Sequence, residues 1–107
     1  MGMATFQDLL TSVENLAGGQ VRGANVEALL DAKAAGPDGQ LQWRYSILDL
    51  MKTLGLDSDL KSRIALARDL GYPGPFNGSA EMNIWLHKQI LARLDEAGAT
   101  VPTDLKA

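Results

Sequence analysis

Only one side chain in the sequence, His87, is suited to general acid–base chemistry near neutral pH. An enzyme built on His87 would need a nucleophile or a carboxylate held close to the ring. The helical neighbours four positions away, Asn83 and Leu91, supply neither. The chain has no cysteine, which excludes a thiol nucleophile, a disulfide and a thiolate zinc site, and a single histidine cannot form a histidine cluster. We therefore expect a protein with no catalytic activity, no metal and no cofactor.

A second chemical possibility rests on Ser58, in the run Gly55-Leu56-Asp57-Ser58. The run resembles the Gly-x-Asp-Ser of acyl-carrier proteins, in which the serine stands at a helix start and bears a phosphopantetheine arm. In carrier proteins a leucine comes directly after that serine, whereas here Asp59 comes first. The helix that follows has several cationic side chains at positions where carriers present acidic residues. The simpler interpretation is a turn with an ordinary helix cap. A carrier-like or small-ligand-binding domain that uses Ser58 stays open as the alternative function.

A third possibility is binding through aromatic and arginine side chains, the residue types that anchor protein interfaces. Two aromatic residues fall in an irregular loop rich in proline and glycine, and an arginine lies between two aromatic residues just before a predicted helix. We hypothesise that one surface patch binds another protein or a peptide. Its candidate residues are Arg44, Tyr72, Phe76 and His87.

Charge and hydropathy exclude other partners. The 10 basic and 13 acidic side chains are interspersed and give a net charge of -3, so no stretch offers the basic footprint that nucleic acid requires. The longest apolar runs last only a few residues, far short of the roughly 20 needed to cross a bilayer. The N-terminus has no basic segment followed by an apolar stretch. We expect no nucleic acid, no membrane insertion and a cytoplasmic location, and the pattern favours no particular oligomeric state.

These side chains must be positioned by helices, because helical periodicity runs through almost the whole chain and no window alternates as a half-buried strand does. Helix starts are indicated by capping residues, which are Thr5, Asn25, Ser46, either Asp57 or Ser58, and Ser79. Gly55 and Gly71 can close the helices that precede them. The sequence predicts an all-α domain, a compact bundle of about five helices.

Side-chain packing and domain organisation can also be predicted. Tyr45 is expected to pack on Leu50 as a hydrophobic staple, and Trp43 and Trp85 are expected to be buried close to each other. Three glycines between residues 17 and 24 predict a flexible linker after the first helix. The predicted division is an N-terminal helix over 1–16, a linker over 17–24 and a helical core over 25–107.

Several runs carry a family resemblance between residues 21 and 105. In chain order they are Trp43-Arg44 with Ser46-Ile47, Asp49-Leu50-Met51-Lys52, Leu56-Asp57-Ser58 with Leu60, Leu70-Gly71-Tyr72, Ser79-Ala80 with Met82-Asn83-Ile84-Trp85-Leu86-His87-Lys88, and Val101-Pro102. Together they resemble the bacterial family known as domain of unknown function 3597. The resemblance implies a helical fold with a flexible segment after the first helix, and it implies no catalytic or binding residues. The sequence as a whole predicts a non-catalytic bacterial protein–protein interaction module.

Overall fold

Helices form the fold, as the periodicity predicts. The computed structural model describes residues 5–36 and 39–102; residues 1–4, in the predicted N-terminal helix, and residues 37–38 and 103–107, in the predicted core, lie outside the described residues. In chain order the elements are α1 (Phe6–Ala17), α2 (Val26–Ala34), β1 (Ala35–Gly36), β2 (Gly39–Gln40), α3 (Ile47–Thr53), α4 (Leu60–Asp69) and α5 (Ala80–Glu96). The all-α prediction is confirmed. The antiparallel pair β1–β2, with Ala35 opposite Gln40, is too short to produce a period-two pattern.

Side-chain caps begin the helices. The Thr5 hydroxyl accepts a hydrogen bond from the Asp8 N–H while the Asp8 carboxylate accepts one from the Thr5 N–H, which is the predicted capping box. The predicted caps Asn25, Ser46 and Ser79 each accept a bond from the N–H three residues ahead.

The predicted cap of α4 is wrong. Asp59, rather than Asp57 or Ser58, precedes the first helical residue and accepts a bond from the Ser62 N–H at 3.0 Å. The Ser62 hydroxyl and N–H hold the pKa of Asp59 below its ordinary value, because both favour the ionised carboxylate. The helix therefore starts later than the sequence pattern indicates, and Ser58 lies outside it.

Two glycines allow the tight turns around α4. Gly55 has φ +76° after α3 and Gly71 has φ +93° after α4, both in the left-handed region that side-chain-bearing residues rarely adopt. Both residues were predicted to close helices. The turn at Gly55 lets α4 start soon after α3, and the turn at Gly71 leads the chain into the loop before α5.

The centre of the core is α5, which packs against α3 and α4. Its inward side chains are completely buried, and they are Met82, Leu86, Ile90, Leu91 and Leu94. Trp43 is also buried, whereas Trp85 is half-buried beside Tyr72, with 5.0 Å between ring centroids. The predicted pairing of the two tryptophans is wrong because the ring of Trp85 packs on the loop before α5.

The first helix packs on this core. Leu9 and Val13 are buried, and the Phe6 N–H donates to the Asp69 carboxylate at 2.8 Å. In the following segment, the Gly23 N–H donates to the Gly98 carbonyl at 2.8 Å, next to a short parallel bridge between Asn25 and Thr100. These contacts join α1 to the end of α4, and the segment after α1 to the residues that follow α5. The mobility predicted for residues 17–24, like the division of the chain at this segment, stays a prediction.

Candidate functional site

An open groove of about 450 Å³ lies between the residues that lead into α3 and the first half of α5. Residues 44–48 form one wall, and Ala80, Asn83, Ile84, His87 and Lys88 form the other. The α5 residues recur at intervals of three and four, which places them on one face of the helix. We call this feature the α3–α5 groove.

Two large hydrophobic side chains on the groove face solvent. Tyr45 is 78% exposed and Ile84 is 58% exposed; of the described residues only Leu60, outside the groove, is another large exposed hydrophobic. The expected staple of Tyr45 on Leu50 is wrong. The N–H groups of Tyr45 and Ser46 both donate to the Gln42 carbonyl, and in this turn the tyrosine side chain lies in solvent while Leu50 is buried.

Arg44 is held at the groove by neighbours on α2. Its guanidinium donates to the carboxylates of Glu27 and Asp31, each at 2.8 Å, and lies 4.6 Å from the ring centroid of Trp43. The indole N–H of Trp43 donates to the same Asp31 carboxylate at 2.9 Å. The four side chains form one network, which orients Arg44 and offsets its positive charge.

His87 joins the two walls. Its Nε2 lies 2.7 Å from the backbone carbonyl oxygen of Trp43, and the residue is 8% exposed. A carbonyl oxygen only accepts, so Nε2 carries the hydrogen in this contact. Burial lowers the pKa of His87 below its ordinary value, and the bond to the Trp43 carbonyl raises it in part. The imidazole is therefore neutral at neutral pH, with an unprotonated Nδ1.

The structure brings together two of the four residues predicted to form a binding patch. Arg44 and His87 line the α3–α5 groove, whereas Tyr72 and Phe76 do not. Tyr72 is buried, with its ring 5.9 Å from that of Phe76 and 5.0 Å from that of Trp85. The expectation that Tyr72 is a surface residue is wrong, because the ring fills the space between these two neighbours.

Phe76 is half-buried, and the Arg68 guanidinium lies 4.5 Å from its ring centroid. Among the groove residues that were not predicted from the sequence, the two exposed hydrophobic ones are Tyr45 and Ile84. A signal for Ile84 was present, because it shares the three- and four-residue spacing of His87 and Lys88 and falls outside the buried stripe of α5.

Ser58, the residue of the alternative function, is half-buried in the turn before α4, and its carbonyl accepts a bond from Arg63 Nε at 3.1 Å. Within residues 5–36 and 39–102, no group of three or more histidine, cysteine or acidic side chains is arranged to hold a metal ion. No helix among those same residues is both long enough and apolar enough to span a membrane.

Fold and groove together define a small all-α domain with an apolar surface groove. The chain belongs to the family "Domain of unknown function (DUF3597)", whose model matches residues 10–102. It is similar to a conserved unknown protein from Rhodopseudomonas palustris whose solution structure is known, with 45% sequence identity and a TM-score of 0.66. The similarity covers 79% of this chain and 65% of that protein, so the chain spans somewhat less than two thirds of its relative. No curated protein matches the chain significantly.

Proposed function

We propose that the protein is a non-catalytic interaction module whose α3–α5 groove binds a segment of another protein. One observation carries the proposal: Tyr45 and Ile84, two of the three large exposed hydrophobic side chains in the described part of the chain, flank the same groove. Large apolar side chains clustered on a concave surface are typical of binding sites. The groove volume of about 450 Å³ falls in the range of ligand-binding pockets, about 300–1,000 Å³.

Charge indicates the kind of partner. The lining residues include the cations Arg44 and Lys88 and no carboxylate, although the whole chain has a net charge of -3. Arg44 is neutralised by its two acidic neighbours, whereas Lys88 is exposed and makes no ion pair with any described residue. A carboxylate on the partner would complement Lys88. We therefore propose an acidic segment with an apolar side chain as its anchor.

The groove is held in shape without a partner. The bond between His87 and the Trp43 carbonyl joins α5 to the wall before α3, and the network around Arg44 fixes that wall to α2. A preformed site binds with less loss of conformational entropy than a site that must be assembled. This rigidity supports a binding role for the groove.

Site-specific photo-crosslinking tests the proposal. A photoreactive phenylalanine analogue is placed at Tyr45 in the living source cells, and the same analogue at Leu60 provides the matched control, since Leu60 is an exposed hydrophobic residue outside the groove. We expect a protein that crosslinks from Tyr45 and not from Leu60. Its crosslinked segment is then made as a peptide, and its affinity is measured for the natural chain and three variants.

Tyr45→Ala and Ile84→Ala are each expected to weaken the peptide by about tenfold or more, as truncation of an interface anchor does. Leu60→Ala is expected to bind like the natural chain. Equal affinities for all four chains would overturn the proposal. A covalent adduct on Ser58 in the intact mass of the native protein, lost in Ser58→Ala, would overturn it in favour of the carrier-like alternative.

The proposed partner is in the bacterial cytoplasm. A relative from Rhodopseudomonas palustris supports a bacterial setting, and the predicted cytoplasmic location, made from the sequence, supports the compartment. Cell fractionation with an antibody against the chain tests the location. Recovery of the protein in the periplasmic fraction would contradict it.

A further inference from the structure

His87 presents an unused hydrogen-bond acceptor at the α3–α5 groove. Its Nε2–H is occupied by the Trp43 carbonyl, so the neutral ring has a lone pair on Nδ1. No described residue forms a hydrogen bond with Nδ1, and among the described residues no fully buried side-chain nitrogen or oxygen lacks a partner. Nδ1 is therefore not fully buried, and His87 is one of the residues that line the α3–α5 groove.

An unpaired Nδ1 at the groove favours ligands that can donate a hydrogen bond to it. A bound group that covers Nδ1 without donating to it would strip the atom of water and weaken binding. A group with an N–H or O–H restores the bond. His87 and Ile84 lie three residues apart on α5 and line the same groove, so a fitting ligand is apolar over most of its surface and donates at one edge.

We propose that the groove recognises a tryptophan or tyrosine side chain of the partner, with His87 Nδ1 accepting its indole N–H or phenol O–H. These are the two side chains that combine a large apolar ring with a donor at one end. The inference rests on the proposed function, since it identifies the anchor that the groove receives. His87 is the specificity-determining residue of the groove, and Lys88 is the cation beside it.

A pair of small probes separates the donor from the apolar ring. Indolepropionate carries an indole N–H and a carboxylate, and its N-methyl derivative carries a methyl group in place of that hydrogen and cannot donate. Each is titrated into the isotope-labelled natural chain while amide signals are followed by NMR. We expect both to shift the signals of Tyr45 and Ile84, with the N-methyl derivative binding about two- to tenfold more weakly, the effect of one neutral hydrogen bond.

A ring-nitrogen spectrum gives a second, independent measurement. We expect the free protein to carry its imidazole hydrogen on Nε2, and the Nδ1 signal to move on addition of indolepropionate and to stay in place with the N-methyl derivative. His87→Leu removes the acceptor and is expected to bind the two probes equally. If that variant does not fold, the response of the Nδ1 signal of the natural chain to the two probes still separates a lost hydrogen bond from the size of the methyl group.

The outcomes distinguish the two proposals. Equal affinity of both probes for the natural chain, or a hydrogen found on Nδ1 in the free protein, would overturn the role of His87 and leave the groove as a binding site. Failure of both probes to shift Tyr45 or Ile84 would overturn the groove as the binding site, and the inference with it.

Discussion

Acidification is expected to destabilise the protein through its single histidine. The folded-state pKa of His87 lies below the value of 6.5 for the unfolded chain, because burial disfavours the imidazolium. Below that pH the unfolded chain binds more protons than the folded chain, so the free energy of unfolding falls as pH falls. The stability that neutral His87 contributes is fully present above the unfolded-chain pKa. As pH falls, this contribution is lost until the pH reaches the lower, folded-state pKa.

The magnitude follows from the proton uptake of the unfolded chain. If folded His87 stays neutral, lowering the pH from about 7 to about 5.5 reduces the free energy of unfolding by about 1.2 kcal/mol. That loss corresponds to a fall in melting temperature of about 5 °C for a domain of this size. A smaller loss of unfolding free energy would mean that the folded-state pKa of His87 lies within this pH range.

The assay is denaturant unfolding across this pH range for the natural chain and for His87→Gln. Glutamine does not titrate, and its amide can donate to the Trp43 carbonyl as the imidazole does. Because the chain contains one histidine, subtracting the variant's pH profile leaves the contribution of His87. Identical profiles for the two chains would refute the assignment of a buried, neutral imidazole.

Three further stability predictions compare substitutions by denaturant unfolding. Leu9→Ala is expected to cost about 2–5 kcal/mol because the side chain is fully buried, and a cost below about 1 kcal/mol would show that α1 is only loosely held. Asp31→Ala leaves the buried indole N–H of Trp43 unpaired and is expected to cost about 1–3 kcal/mol. Glu27→Ala removes only an exposed partner of Arg44 and is expected to cost less than about 1 kcal/mol. Equal costs for the two substitutions would contradict the network. Ser79→Ala removes a helix cap and is expected to lower the free energy of unfolding by about 1 kcal/mol. Ser58→Ala removes no cap and is expected to change that free energy by less than about 0.5 kcal/mol. The reverse order would contradict the observed helix starts.

Local signals in the sequence were sufficient for most of the fold. A cap such as Ser79 acts on an N–H three residues away, and a glycine such as Gly71 ends the helix directly before it, so both can be predicted without the tertiary structure. The cap of α4 was missed because Asp57, Ser58 and Asp59 are all capable caps in succession. Only the position where the helix starts distinguishes them.

Exposure of the aromatic residues could not be predicted in the same way. Tyr45 and Tyr72 both stand next to irregular segments, yet one is 78% exposed and the other is 7% exposed. The difference arises from partners distant in the sequence, because Tyr72 packs against Trp85 whereas the turn at Tyr45 leaves its ring in solvent. Composition alone therefore placed the wrong tyrosine on the binding surface.

The role of His87 shows where sequence reasoning ends. Position on α5 places the residue at the edge of the core, but the function of the ring depends on which nitrogen is already bonded. That bond reaches the carbonyl of Trp43, 44 residues away in the chain, so only the tertiary structure shows that Nδ1 is the free acceptor. The sequence offers His87 no nearby nucleophile or carboxylate with which to catalyse a reaction. In the proposed site its unpaired Nδ1 instead discriminates between ligands that donate a hydrogen bond and ligands that do not.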